Sequence, residues 1–374
     1  MKKQFTLPYG IDFAIDQNLQ AVKKYKAPHG YYMDCPFCGG KRKLNVHQGK
    51  NVFRCAKCDT SGNTITFHAK SLGIDNKSAR EDLDKRFKGI PSSKKANYKF
   101  IEFEPQKTPF PIDVRNVVYN DLLKQLSLSD KHHEDLIKRG LTEEQIIKNG
   151  YKTTPINELQ KIGGIACEFV EGATKGEYGI PGFYDIDTLG AKMVKRKNGF
   201  LIPCRTFDGL ISGFQIRNDE LPDNATEEQK EHFHKYSWLT STEKESGCSF
   251  TGCENIHFAG DWSNVPKKIN LTEGLLKADI ASALTGKPFL GLSGVNNLSQ
   301  LEERLVFLKN KGVEIVNICV DMDYREKKEV QKAMENIEKI ISEAGLKYSV
   351  IKWDEKYKGI DDFLLARKNK EEAK

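Results

Sequence analysis

The sequence predicts a multidomain α+β protein with an N-terminal zinc ribbon, a mixed α+β middle region and a C-terminal α/β domain with a parallel sheet. Two Cys-x-x-Cys pairs near the start predict the ribbon. A hairpin pattern near residue 200 predicts strands in the middle. After residue 266, apolar runs of strand length alternate with helical patterns, which is typical of a parallel sheet covered by helices.

The zinc prediction rests on cysteine spacing. Sixteen residues separate Cys35-Pro-Phe-Cys38 from Cys55-Ala-Lys-Cys58, a spacing at which two knuckles bring four thiolates to one structural Zn²⁺. Residues 43–47 and 51–54 are predicted strands around a turn at 48–50. The predicted ligands are Cys35, Cys38, Cys55 and Cys58. Because these complete a zinc shell, His47 and His68 are predicted to be surface or packing residues.

The same segment is basic. Residues 21–60 contain nine lysines or arginines and two aspartates, which suits binding to a polyanion such as nucleic acid. The alternative is a solvated lysine-rich surface. The residues predicted to contact nucleic acid here are Lys41, Arg42, Lys43 and Arg54.

Beyond the cysteines, the segment carries Leu44-Asn-Val46, Phe53-Arg-Cys55, Gly62-Asn-Thr-Ile65 and Phe67. With the four ligands, these residues resemble the N-terminal zinc-binding domain of DNA primases. Bacterial replicative primases usually have a histidine at the second ligand position. Cys38 instead gives an all-cysteine site, as in phage primase-helicases.

Four domain segments are predicted: a zinc-ribbon domain at 1–87, a linker at 88–111 rich in Pro, Gly and Ser, a middle domain at 112–265, and a catalytic domain at 266–374. Helices are predicted within 11–28, at 71–87, at 130–140 and from Thr142. Without a long apolar run or a signal peptide, and with cysteines that suit metal binding in a reducing compartment, the chain is expected to be cytoplasmic.

In the middle region, residues 199–205 and 210–217 are predicted to form a hairpin around a turn at 207–209. Cations and aromatics alternate along it, which suits phosphates and unpaired bases. The alternative is that the aromatics are core and the arginines are rim. Cys248 and Cys253 are expected to be unliganded. The predicted contact residues are Arg205, Gln215, Arg217, Lys235, Tyr236 and Trp238. The order of these motifs also resembles the central region of primase-like proteins from phages and mobile elements.

The C-terminal strands are predicted at 269–272, 288–292, 315–320 and 348–353, and the helices at 275–285, 298–310 and 326–344. Asp321 and Asp323 follow the third strand and Glu273 ends the first, with Asp361-Asp362 near the chain end. Since parallel strands end at one sheet edge, these carboxylates are predicted to share a site that suits Mg²⁺.

This pattern resembles a Toprim domain, in which Thr272-Glu273-Gly274 matches the glutamate motif and Asp321-Met-Asp323 matches the DxD motif. The resemblance implies that Asp321, Asp323 and Asp361 bind catalytic Mg²⁺ or Mn²⁺. It implies that Glu273 shares a metal or acts as the general base. Replicative primases carry an aspartate where this sequence has Lys277. Lys277 and Lys358 are further predicted nucleotide contacts.

The function implied is that of a DNA primase of the phage or mobile-element type, which makes short RNA primers on single-stranded DNA from ribonucleoside triphosphates. No Gly-x₄-Gly-Lys-[Ser/Thr] motif occurs, so a replicative helicase is expected in trans. Two alternatives stay open: a Toprim-type nuclease, and a non-catalytic nucleic-acid-binding replication factor.

Overall fold

The structure is a computed structural model. It describes residues 7–27, 30–98, 107–168, 170, 176–186, 190–226, 229–230, 233–242, 244, 246–250, 253–294, 297–322 and 328–372. The chain forms two compact units, Met1–Pro105 and Gln106–Lys374. The division falls inside the segment 88–111, and the predicted domain boundaries stay predictions.

The first unit is built on a five-stranded antiparallel sheet whose strands lie in chain order. The strands are Tyr25–Ala27 (β1), Gly30–Met33 (β2), Leu44–His47 (β3), Val52–Cys55 (β4) and Ser61–Asn63 (β5). The helices are Ile11–Asn18 (α1), Thr64–Leu72 (α2), Asn76–Gly89 (α3) and Ser92–Lys95 (α4). Alternate residues of β3 are buried, and Leu44 and Val46 pack with Phe53 and Phe67 in one apolar cluster. The predicted ribbon strands and the turn at 48–50 are therefore confirmed.

Two predicted helices of this unit are wrong in extent. The helix within 11–28 ends at Asn18, and residues 25–27 instead pair with β2. The helix at 71–87 is two helices, because Gly73 adopts a left-handed φ of 69° that ends α2. The Asp75 carboxylate then accepts the backbone N–H groups of Lys77 and Ser78 and begins α3.

The second unit begins with the mixed region. Its strands are Thr108–Pro109 (β6), Lys152–Thr153 (β7), Tyr178–Gly179 (β8), Phe183–Asp185 (β9), Ala191–Met193 (β10), Gly199–Arg205 (β11), Ile211–Asn218 (β12) and Tyr236–Trp238 (β13). Its helices are Ile112–Gln125 (α5), Asp130–Lys138 (α6), Glu143–Asn149 (α7) and Leu159–Ala166 (α8). The predicted hairpin is confirmed as the antiparallel pair β11–β12, with β13 and β7 at the sides. The predicted cap is confirmed, since Thr142 and Gln145 form a capping box.

The C-terminal part carries a second five-stranded sheet in the order β14-β16-β15-β17-β18. The strands are Ile256–Ala259 (β14), Lys268–Glu273 (β15), Phe289–Leu292 (β16), Ile315–Ile318 (β17) and Lys347–Val350 (β18). The helices are Leu275–Thr285 (α9), Leu301–Asn310 (α10), Lys328–Glu343 (α11) and Ile360–Glu372 (α12). The four predicted strands are parallel, and the unpredicted strand β14 joins antiparallel at one edge.

Apolar side chains of β15, β16 and β17 form the core of this sheet with α10 and α11. On α11 the stripe Ala333, Ile337 and Ile341 is buried, which follows from its 3.6-residue period. No helix among the described residues is both long enough and apolar enough to span a membrane.

Candidate active site and metal centre

The four predicted zinc ligands converge. Cys35 and Cys38 lie in the loop after β2, and Cys55 and Cys58 lie at the end of β4 and in the turn beyond it. Their sulfurs all lie within 4.8 Å of one another, with 3.9 Å from Cys35 to Cys58 and 3.8 Å from Cys38 to Cys55. A tetrahedron with Zn–S distances of about 2.3 Å has edges of about 3.8 Å. The cysteines therefore fit one structural Zn²⁺.

One of the four sulfurs is favoured as a thiolate, whereas burial raises the pKa of the Cys35 thiol to about 12 and also raises that of Cys55. A hydrogen bond with the Thr60 hydroxyl lowers the pKa of the Cys58 thiol to about 6. The backbone N–H of Lys57 donates to the Cys55 sulfur at 3.3 Å. The predictions for both histidines are confirmed. His47 caps the turn by accepting the N–H of Lys50, and His68 is buried between Asn18 and Asp82.

The four basic residues predicted on the ribbon lie at or near its surface. Lys41 and Lys43 are exposed, and the Arg42 guanidinium lies 3.7 Å from the ring centre of Tyr25. Arg54 pairs with Asp59 at 3.0 Å in the open. This stacked and exposed arrangement is compatible with nucleic-acid contact, which stays a prediction.

The second site is a cavity of about 380 Å³ at the carboxyl ends of β15 and β17. Glu273 is the last residue of β15, and Asp321 follows β17 by three residues. Asp361 and Asp362 lie in the first turn of α12. All four carboxylates line the cavity. Three of the four predicted magnesium ligands are thus brought together, whereas Asp323 lies outside the described residues.

The sharp turn from β15 into α9 requires a glycine. Gly274 has a φ of 96°, in the region that side chains rarely adopt, and its N–H donates to the Leu292 carbonyl at 2.6 Å. Because of this turn, Glu273 ends β15 at the cavity and α9 begins two residues later. A second tie, from Met322 N–H to the Lys358 carbonyl at 3.1 Å, holds the loop after β17 beside the start of α12.

Two lysines contact these acids. Lys277 forms an ion pair with one carboxylate oxygen of Asp321, with both side chains largely buried. Lys358, which is mostly exposed, lies 4.0 Å from the other oxygen. Burial alone would lower the pKa of Lys277, but the neighbouring carboxylates, above all Asp321, raise it above its ordinary value. Lys277 is therefore a charged ammonium inside the acid cluster.

Asp361 has a buried carboxylate oxygen that is available to bind a cation. Only 9% of it is exposed, and its Oδ1 atom has no hydrogen-bond partner among the described residues. Burial raises the pKa of this carboxyl, although Lys277 opposes the effect. A buried oxygen without a partner beside further carboxylates suits a hard divalent cation, and Mg²⁺ is commonly held by one or two carboxylates and water. Within the described residues, only the four cysteines form a closed set of ligand atoms.

The opposite wall of the cavity comes from the middle region. Lys235 and Tyr236 line it from the start of β13, and Gln215 from β12. The Oε1 atom of Gln215 is buried and has no partner among the residues that the structure describes. Burial, together with nearby cations such as Arg217, lowers the pKa of Lys235. These three sequence-predicted residues thus face the carboxylates.

Arg139, just after α6, also lines this wall and was not predicted. Its Nε atom donates to Asp135 at 3.1 Å, and Arg217 donates to the same oxygen at 2.6 Å. Arg217 therefore holds Asp135, which orients Arg139. The basic residues at the end of the predicted helix 130–140 could have indicated this role for Arg139. The local sequence does not show, however, that this end of the helix contacts β12 and β13.

Three predicted contact residues of the middle region do not line the cavity: Arg217, which holds Asp135, and Arg205 and Trp238. The Arg205 guanidinium donates to the backbone carbonyls of Gly209 and Asn149, so it stabilises its own turn and the end of α7. Trp238 stacks on Phe250 with ring centres 3.8 Å apart and packs against the core. For Trp238, the structure thus agrees with the alternative that the aromatic residues of this region belong to the core. Cys248 and Cys253 are buried free cysteines, and the expectation that they bind no metal stays a prediction.

Asp279 faces away from the cavity. One of its oxygens accepts the Tyr151 hydroxyl at 2.6 Å and the other contacts His257 Nε2 at 2.8 Å. The His257 Nδ1 atom accepts the backbone N–H of Arg205 at 3.0 Å, so Nε2 carries the proton and donates to Asp279. Both oxygens of Asp279 are therefore used inside the protein, in what we call the Asp279 network: Asp279, Tyr151 and His257.

Comparisons with known proteins bear on both sites. The family described as the CHC2 zinc finger matches residues 11–99, and a domain of unknown function, DUF3854, matches residues 262–371. A DNA primase from Thermotoga maritima is 26% identical over 209 residues, which are 55% of this chain and 35% of that protein. The chain thus spans about a third of the length of this curated relative.

Among solved structures, the Aquifex aeolicus primase (zinc-binding and RNA polymerase domains) is 17% identical, with 97% of this chain and 81% of that chain covered and a TM-score of 0.49. The primase fragment of the bacteriophage T7 primase-helicase protein is 14% identical, with 91% and 97% covered and a TM-score of 0.36. The resemblance to zinc-ribbon DNA primases is confirmed by the zinc-finger match and the Thermotoga relative. The phage or mobile-element type stays a prediction.

Proposed function

We propose that this chain is a DNA primase, which joins ribonucleotides into short primers on a single-stranded DNA template by metal-dependent nucleotidyl transfer. The observation that carries the proposal is the cavity in which Glu273, Asp321 and Asp361 face Arg139 and Lys235. Acids on one wall and cations on the other suit a substrate made of a triphosphate and a divalent cation. We further propose that residues 266–374 are a Toprim domain, because the acids stand in the order of its motifs.

In this reaction a primer 3′-hydroxyl attacks the α-phosphate of a nucleoside triphosphate, and pyrophosphate leaves. A bound Mg²⁺ or Mn²⁺ would neutralise the charge that develops on the phosphate oxygens. Asp321, Asp361 and the sequence-predicted Asp323 would hold this ion. Glu273 is proposed to share the ion or to accept the proton of the attacking hydroxyl.

The cationic wall would bind the rest of the nucleotide. Arg139 is oriented by Asp135, so its guanidinium is pre-positioned for the triphosphate. The exposed side chains of Lys235 and Lys358 add positive charge to the lining of the cavity. Tyr236, also on this wall, offers an aromatic face for a base.

The zinc ribbon is proposed to grip the template. Its exposed lysines and the stacked Arg42 suit a phosphate backbone, and residues 11–99 match the CHC2 zinc finger family. A replicative helicase that acts in trans is the further partner that we propose, since the T7 relative is a primase-helicase protein.

The test is primer synthesis by the full chain, with labelled ribonucleoside triphosphates, Mg²⁺ or Mn²⁺ and varied single-stranded templates. We expect short RNA products, reduced about a hundredfold or more by Asp321→Asn. The matched control is Glu314→Gln, because Glu314 precedes the same strand β17 at its opposite end and pairs with Lys267 in the open. Cleavage of the template without synthesis would favour the nuclease, and full synthesis by Asp321→Asn would refute the site.

A further inference from the structure

We propose that the Lys277 ammonium is a built-in counter-ion of the carboxylate cluster, so that this cavity binds a single divalent cation. The inference rests on the proposed function only in taking the cavity as the metal site. Lys277 then contributes its own positive charge to the cluster of carboxylates.

The position of Lys277 is set by the turn at Gly274. Lys277 is the third residue of α9, close to the strand end that carries Glu273. Its ammonium pairs with Asp321, which comes from the neighbouring strand β17. The packing is close, since a Cβ atom at Gly359 would lie 3.2 Å from Lys277 Cε. The side chain is therefore confined to the floor of the cavity by the backbone before α12.

This placement is unfavourable for a lysine unless the carboxylates compensate. The first turn of a helix carries positive partial charge, so a cation there is repelled by the helix. The side chain is also only 17% exposed, which removes most of its hydration. Both costs are offset if Lys277 neutralises acids that would otherwise repel one another, and its ion pair with the largely buried Asp321 carboxylate places it to do so.

The ammonium and a divalent cation would compete for the same oxygen. The Asp321 oxygen that Lys277 contacts is occupied, while Asp361 Oδ1 has no partner among the described residues. Asp361 Oδ1 thus offers an open position beside an internal positive charge. Removing that charge should make the cavity bind a divalent cation more tightly, and should open a second position.

The experiment measures Mn²⁺ binding to the zinc-loaded full chain by electron paramagnetic resonance, without nucleotide or template. We expect one Mn²⁺ in the wild type, greatly weakened by Asp321→Asn. Lys277→Met should bind Mn²⁺ about tenfold tighter or more, or bind a second ion. The matched control is Lys267→Met, which removes an exposed lysine that pairs with Glu314 at the opposite end of β15 and should change affinity by about twofold or less.

Thermal unfolding followed by tryptophan fluorescence supplies a second measurement. Without Mn²⁺, Lys277→Met should melt below the wild type because its acids repel one another, and Mn²⁺ should raise its melting temperature more than that of the wild type. Lys277→Gln is a second neutral variant should the methionine fold poorly. Unchanged or weaker Mn²⁺ binding by the folded variants would overturn the inference. Absent primer synthesis with the expected Mn²⁺ binding would instead refute the proposed function.

Discussion

The Asp279 network predicts a large and specific loss of stability. Asp279→Ala leaves the Tyr151 hydroxyl and the His257 Nε2–H buried without an acceptor, since both donate to Asp279. An unsatisfied buried donor costs about 1–3 kcal/mol, so two donors cost about 2–6 kcal/mol. Because the network joins α9 to the end of α7 and to β14, the loss should be felt by the whole second unit.

Urea denaturation followed by tryptophan fluorescence measures this loss. The three tryptophans, Trp238, Trp262 and Trp353, all lie in the second unit, so their signal is independent of the zinc ribbon. Two further variants complete the design. The control is Glu335→Ala, because Glu335 is an exposed acid on helix α11 and its removal should change stability by about 0.5 kcal/mol or less.

A double-mutant cycle with Tyr151→Phe then isolates the pair. Once Asp279 is alanine, removing the Tyr151 hydroxyl should cost less than it does in the wild type, with a coupling of about 0.5 kcal/mol or more. A loss for Asp279→Ala of under about 1 kcal/mol, or equal to that of the control, would refute the reasoning.

Two further predictions concern the zinc ribbon and the effect of pH. Cys38→His should retain one zinc per chain, because a histidine nitrogen is also a tetrahedral zinc ligand, whereas Cys38→Ala should lose the zinc. Elemental analysis measures the zinc content, and equal zinc content in both variants would contradict the four-ligand site. Hydrogen bonds from Lys131 and His132 outweigh burial and lower the pKa of Asp219 below its ordinary 3.8, so Asp219 stabilises the fold above that pH and the effect is lost as pH falls through the lowered pKa. Urea denaturation should thus show Asp219→Asn less stable than the wild type at pH 7 and the difference shrinking toward pH 3, and a difference that grows in acid would contradict the assignment.

The sequence was sufficient to predict those site residues whose positions follow from a local sequence pattern. The cysteine spacing predicted all four zinc ligands, since two knuckles of fixed geometry bring them together. Strand-length apolar runs that end in acids predicted that Glu273 and Asp321 would meet, because parallel strands end at one edge. On the predicted hairpin, alternation placed Gln215 and Arg217 on one face of a strand, and Gln215 lines the cavity.

What the sequence did not predict depends on contacts between distant segments. Arg139 reaches the cavity only because Asp135 is held by Arg217, 82 positions further along the chain. Asp279 lies two residues beyond Lys277 on the same helix, yet its partners face it from the opposite side of α9. Trp238 lies on a strand with Tyr236, and the alternation alone cannot show which neighbour covers it. Gly73 was a visible helix-ending signal that helix periodicity outweighed.

The two faces of α9 have a consequence for recombination. Lys277 and Asp279 are two residues apart, so at about 100° per residue they point to nearly opposite sides of the helix. The partners of Asp279 both precede residue 266, where the sequence suggests a domain boundary. A chimera joined there would retain Lys277 and Asp279 but lose Tyr151 and His257, which hold the Asp279 side of the helix. Grafts of this C-terminal segment onto another chain should therefore carry Tyr151 and His257 with it.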